Sequence, residues 1–217
     1  NGFNDFVFSG DNTVLKFDGM MTPFCIENCS NFSFSRITVD WIHNLCISEN
    51  NIRNTVSAIR INRSKNVTLA DVTIKSVPGM GISADEVDGL NLYRIIVKPD
   101  GERKISSYFD AVDLTACSGT LNINTCRFES CRDVLNIHNV YEPINLNFEN
   151  SVIRNIRGRG IAVQPLNSII RNNLFDACNQ EGILISGKNN CKSAVNIEIY
   201  ENRFISCGAE NNQRYTV

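Results

Sequence analysis

The sequence predicts an all-β protein: a single-domain, right-handed parallel β-helix over residues 1–217, with about seven coils of three short strands each. Three observations predict it. An apolar pattern at positions a, a+2, a+5 and a+7 recurs seven times along the chain. A further short apolar strand precedes most of the copies. Nowhere does a sustained i, i+3, i+4, i+7 stripe mark an amphipathic helix.

The copies run in order. The first is Phe32-Phe34-Ile37-Val39, followed by Val67-Leu69-Val72-Ile74 and Leu90-Leu92-Ile95-Val97. Leu121-Ile123-Cys126-Phe128 and Leu146-Phe148-Ser151-Ile153 come next, then Ser168-Ile170-Asn173-Phe175 and Ile197-Ile199-Asn202-Phe204. Their starts differ by 35, 23, 31, 25, 22 and 29 residues, so 22 is the bare coil and the excess is loop. A leucine-rich repeat would show regular Leu at tighter spacing, and a propeller blade would be about twice as long.

The spacing inside the pattern gives the geometry. Positions a and a+2 lie on one side of a strand. A three-residue step then breaks the alternation, turns a corner and brings a+5 and a+7 inward on a second strand. Asn recurs at this step (Asn124-Thr125, Glu149-Asn150, Asn172-Asn173) and tolerates the left-handed backbone such a corner needs. An Asn at a+5, as in Asn173 and Asn202, suits an internal hydrogen-bonded ladder.

The third strands are Phe24-Cys25-Ile26, Ala58 to Ile61, Gly81 to Ala84, Ala111 to Leu114, Val134 to Ile137, Ile161 to Val163 and Ile183 to Ile185. One coil cannot bury its own apolar side chains, so stability comes from stacking neighbours about 4.8 Å apart. Insertions at 41–55, 98–108 and 187–193 are the expected walls of a binding groove.

Composition narrows the function. Hydrophobic residues make up 42% and charged ones 20%, with a formal net charge of −2, so no basic surplus points to nucleic acid. The apolar runs fall short of a membrane span. There is no initiator Met and no signal-like segment at Asn1, so the chain reads as a mature protein or an excised fragment. Nine cysteines cannot all pair with one another. Several fill apolar slots of the repeat, Cys126 among them, which favours free, buried thiols over a disulfide framework. The two histidines, His43 and His138, lack Cys or His partners at zinc-ligand spacing, and no metal or other cofactor is expected.

The chemistry concentrates between Phe109 and Tyr141. Asp110 and Asp133 lie 23 residues apart and open equivalent strands of adjacent coils. Cleavage of a glycosidic bond needs a proton donor on the leaving oxygen and a carboxylate to activate water or attack carbon. Two stacked acids repel, which lifts one pKa toward the range of a donor. Asp110 and Asp133 are therefore the candidate catalytic pair. Asp113, Arg132, Asn136, His138, Arg157 and Arg159 are candidate substrate contacts. The same acids also suit a purely structural task, because Asp and Asn at strand openings bond local backbone amides.

Several segments resemble the blood-group-B-type alpha-1,3-galactosidases of glycoside hydrolase family 110. They are Thr22-Pro23-Phe24 on to Asn28-Cys29 and Val39-Asp40-Trp41; Asn66-Val67-Thr68-Leu69; Pro78-Gly79-Met80-Gly81-Ile82; Asp110-Ala111-Val112; Asn136-Ile137-His138; Arg157-Gly158-Arg159-Gly160; and Gly182-Ile183-Leu184-Ile185-Ser186. The resemblance implies a secreted or periplasmic exo-glycosidase that removes terminal alpha-linked galactose from an oligo- or polysaccharide, with inversion and without a metal.

Two departures stand out. Where the family carries an Asp-Asp pair before Asn-x-His, this chain reads Arg132-Asp133. Where the family has His three residues after its first catalytic Asp, this chain has Asp113. A hydrolase is the first expectation. A glycan-binding protein silenced by Arg132 is the second, and a structural solenoid of a surface or phage fibre the third.

Overall fold

The computed structural model describes residues 2–43, 56–101, 103–138, 144–163, 167–185 and 196–208. Most of the insertions at 41–55 and 187–193, together with Cys46 and Cys191, lie outside these residues.

The chain winds into a stack of parallel strands held in two sheets. The seven-stranded sheet B collects the strands foreseen before each repeat: β2 (Phe24–Glu27), β4 (Ser57–Asn62), β6 (Met80–Asp85), β9 (Val112–Thr115), β12 (Leu135–His138), β15 (Ile161–Val163) and β18 (Ile183–Ile185). They pair in sequence order, one per coil, which gives seven coils.

Sheet A has 13 strands and bends along its length. One limb holds β7 (Asp88–Tyr93), β10 (Ser118–Asn124), β13 (Ile144–Glu149), β16 (Asn167–Arg171) and β19 (Ile197–Tyr200). The other holds β8 (Ile96–Lys98), β11 (Arg127–Glu129), β14 (Val152–Ile156), β17 (Leu174–Cys178) and β20 (Arg203–Ile205). In the early coils the two limbs are continuous, as β1 (Val7–Phe17), β3 (Ser33–Trp41) and β5 (Lys65–Lys75). In these coils each long strand turns the corner within its own length, where the β3–β5 ladder skips Arg36 and Asp71, and the later coils show the three short strands expected from the sequence.

The corner has one conformational signature. The residue at a+4 has positive φ in all seven repeats: Arg36, Asp71, Arg94, Thr125, Asn150, Asn172 and Glu201, all between 52° and 56°. A left-handed residue costs a non-glycine about 1–2 kcal/mol. The stacked ladders offset that cost and over-determine the bend.

Every a, a+2, a+5 and a+7 residue of the first six repeats is buried. In the seventh, Ile199 and Phe204 are exposed. Phe128, Phe148 and Phe175 fill the interior, each fully buried and each contributing roughly 1.5–3 kcal/mol of hydrophobic stabilisation. The polar a+5 residues satisfy one another. Asn173 donates from Nδ2 to the Phe148 carbonyl (2.8 Å) and accepts from the Ser151 N–H (2.9 Å). Asn202 repeats the arrangement on the Ile170 carbonyl (2.7 Å). Cys126 points inward at its a+5 slot, and all seven described cysteines are free. Among the described residues no helix is long and apolar enough to cross a membrane.

Candidate functional site

Alternation along sheet B decides which side chains face out. Val112, Leu114, Leu135 and Ile137 enter the core. Asp113, Thr115, Asn136 and His138 therefore stand on the outer surface, with Asn136 paired to Asp113 and His138 to Thr115. The same columns continue through Ser83 and Arg60, and through Asp85 and Asn62. His138 reaches diagonally to the neighbouring strand, where Nε2 lies 3.0 Å from Asp113 Oδ1. The His138 side chain is 37% exposed and that of Asp113 15%.

Asp110 and Asp133 sit where the two strands open, and the Ala111 N–H donates to the Asp133 carbonyl at 2.9 Å. Their backbones adjoin, as the 23-residue spacing requires. Their carboxylates take different partners. Asp110 is 1% exposed, and Arg132 grips it with Nε on Oδ1 (3.0 Å) and Nη2 on Oδ2 (3.1 Å). Asn136 adds a donor to Oδ2 at 3.3 Å, and the Asp133 N–H one to Oδ1 at 3.3 Å. Both oxygens are occupied.

Asp133 instead supports the turn of the next coil. Its Oδ1 accepts the Arg159 N–H at 2.6 Å, and Arg159 Nη1 lies 3.8 Å from Oδ2. Gly158 makes room for this contact, since a Cβ there would stand 2.1 Å from Asp133 Oδ1. Arg159 also pairs with Glu181 (3.2 Å). Arg157 crosses the stack to donate to the carbonyls of Ser107 (3.1 Å) and Tyr108 (2.7 Å). All eight candidate residues therefore gather around one edge and face of sheet B, with Arg157 and Arg159 each tied to protein groups through part of the guanidinium.

The electrostatics follow burial. Asp110 is pushed above its ordinary pKa chiefly by desolvation, which outweighs the attraction of Arg132; repulsion from Asp133 adds a smaller push in the same direction. The pair effect expected from sequence is present but secondary.

The insertion at 98–108 touches the site where Ser107 and Tyr108 accept from Arg157, and it is anchored farther back by Arg103. Arg103 folds back to Asp40 (2.8 Å), and also pairs with Asp100 and the Trp41 carbonyl. With its side chain 9% exposed, it ties the insertion to the C-terminal end of β3 in an earlier coil. The outward columns Arg60, Ser83, Asp85 and Thr115 escaped the sequence reading, although period-two alternation in the third strands marks them.

A family model described as the right handed beta helix region matches residues 57–209. The chain belongs to the right-handed beta-helix family. Among solved structures, the β-helix resembles the periplasmic alginate epimerase AlgG, with a TM-score of 0.61 and 14% identity, over 87% of this chain and 49% of that one. A mutant of the same epimerase gives a TM-score of 0.57 at 14% identity and the same coverage. The chain thus spans about half the length of the epimerase, and the likeness is one of fold. No curated protein matches the sequence.

Proposed function

We propose that this chain, read as one β-helix domain over residues 1–217, binds glycans along the outward face of sheet B, with Arg132 silencing the acid pair. Terminal alpha-linked galactose is the proposed sugar, on the resemblance of Asp110-Ala111-Val112, Asn136-Ile137-His138 and Arg157-Gly158-Arg159-Gly160 to the family 110 galactosidases. The observation that carries the reading is the two-pronged grip of Arg132 on Asp110. General acid or base catalysis requires a group within hydrogen-bond reach of the substrate. Asp110 is buried with both oxygens engaged, and Asp133 is spent on the following turn. Asp113, Asn136 and His138 remain on the surface with donors and acceptors suited to sugar hydroxyls.

The epimerase of similar fold is named for a polysaccharide, which supports a chain-like ligand on this scaffold and an extracytoplasmic setting. Turnover of alpha-galactosides is a second reading, favoured by the raised pKa of Asp110 beside Asp133. Isothermal titration with alpha-galactosyl, beta-galactosyl and alginate oligosaccharides tests the proposal, with reducing-sugar release followed in the same samples. Heat of binding to alpha-galactosides without release is the expected result. Release by the wild type moves the function to the second reading, and binding to none of the oligosaccharides ends the carbohydrate account.

A further inference from the structure

We propose that the outward face of the β7–β10–β13 limb of sheet A is a second binding surface, for an extended neutral polysaccharide lying along the solenoid axis. It is a separate face from sheet B and does not rest on the reading given to that site.

The face is built by the same alternation that builds the core. Leu90, Leu92, Leu121, Ile123, Leu146 and Phe148 point inward. Asn91, Asn122 and Asn147 between them face out in one register column. They bond in sequence: Asn147 Nδ2 donates to Asn122 Oδ1 (2.8 Å), Asn122 Nδ2 to Asn91 Oδ1 (2.7 Å), and Asn91 Nδ2 to Thr68 Oγ1 (3.4 Å). A parallel column links Asn167 to Asn145 (3.1 Å). At the corner, Asn172 donates to Asn150 (2.6 Å) and Asn150 to Asn124 (3.3 Å).

A carboxamide offers two N–H donors and two acceptor lone pairs. Within its column Asn122 uses one of each, so a donor and an acceptor remain for a ligand, repeated at the strand spacing of about 4.8 Å. The column also holds each amide in place beforehand, which lowers the entropy cost of binding. Sugar hydroxyls both donate and accept, and they match such a row without calling for charge. Thr120, Asn122, Asn124, Asn145 and Asn147 carry none, and at the borders of the same face Asp88 is matched by Lys65 (2.9 Å) and Glu149 by Arg171 (2.9 Å). Tyr93, on the same strand face as Asn91 and 41% exposed, adds an aromatic ring beside the row, with the Arg94 guanidinium over it at 4.0 Å from the centroid.

Affinity electrophoresis of the full chain tests this, in gels containing a soluble glucomannan or a mixed-linkage glucan, neither of which bears terminal alpha-galactose, with alginate as the polyanionic control. Retardation in a neutral gel that persists at raised salt is the expected result. The Asn122→Ser/Asn147→Ser double variant should weaken it about tenfold, the equivalent of one to two neutral hydrogen bonds. Tyr93→Ala, at an exposed ring, should weaken it too, and guards against loss through misfolding. Gly101→Ala, where an added Cβ meets nothing within 4 Å, should leave it unchanged. Retardation in neither neutral gel, or in alginate alone, would overturn the proposal. So would retardation lost in His138→Ala yet kept in the double variant. A concentration-dependent dimer abolished by the double variant would assign the face to a second copy of the chain instead.

Discussion

Arg132 holds both carboxylate oxygens of Asp110, one coil below it, in a side-on fork at 3.0 and 3.1 Å. The partners differ in exposure: the Arg132 side chain is 47% exposed, and that of Asp110 only 1%. Removing Arg132 therefore leaves a buried carboxylate without its main cation. Arg132→Met should cost about 1–3 kcal/mol, below the 3–5 kcal/mol of a fully buried pair because half of the guanidinium is already solvated. Denaturant unfolding of the variant checks it.

The raised pKa of Asp110 fixes the sign of a pH effect. The folded chain binds this proton more tightly than the unfolded chain, whose value lies near 3.8. At this group, acidification from above the folded pKa down to the unfolded value stabilises the fold. Asp110→Asn should remove that contribution. Melting temperatures of the two proteins, compared across this acidic window, should show the wild type gaining relative to the variant as pH falls.

Gly158 is set by the carboxylate it faces. Gly158→Ala would place a methyl 2.1 Å from Asp133 Oδ1 and 3.0 Å from the Arg132 carbonyl. The turn must shift, at about 1–3 kcal/mol. Alanine at Gly101, where a Cβ meets nothing within 4 Å, is the control and should be nearly neutral by thermal melting.

Inside the stack, Asn173→Ala should destabilise more than Asn167→Ala on the surface. The first orphans the Ser151 N–H and the Phe148 carbonyl, at about 1–3 kcal/mol for each group left unpaired. Chemical denaturation of both variants measures the difference.

The thiols should divide by depth. Burial pushes Cys117 up to about 11 and Cys126 up to about 12, so neither forms appreciable thiolate near neutrality. Among the described cysteines, Cys25 is exposed and should react first with a disulfide reagent, while Cys126 and Cys131 should wait for unfolding. Mass mapping of labelled peptides before and after denaturation reads the order.

The stacked coils were legible because each inward position must meet its neighbour in register, which imprints a, a+2, a+5 and a+7 on the residues themselves. β1 was missed for a local reason. Phe8 stacks on Phe34 and Phe17 packs tilted against Trp41, but the Gly10-Asp11-Asn12 bulge inserts two residues between them and hides the pattern. The adjacency of Asp110 and Asp133 followed from their spacing. Where their carboxylates turn did not, because that is decided by long side chains arriving from other turns. Arg132 stands 22 residues after Asp110, the length of one bare coil, and this spacing was the available sign of the clamp.

The most direct test follows a terminal alpha-1,3-linked galactoside by proton NMR in the presence of the wild-type chain. Binding without cleavage predicts saturation transfer to the galactose protons, diminished in His138→Ala, with no free galactose appearing over an extended incubation. Free galactose released by the wild type and abolished by Asp110→Asn would contradict it, since a carboxylate locked by Arg132 would then be working as a catalyst.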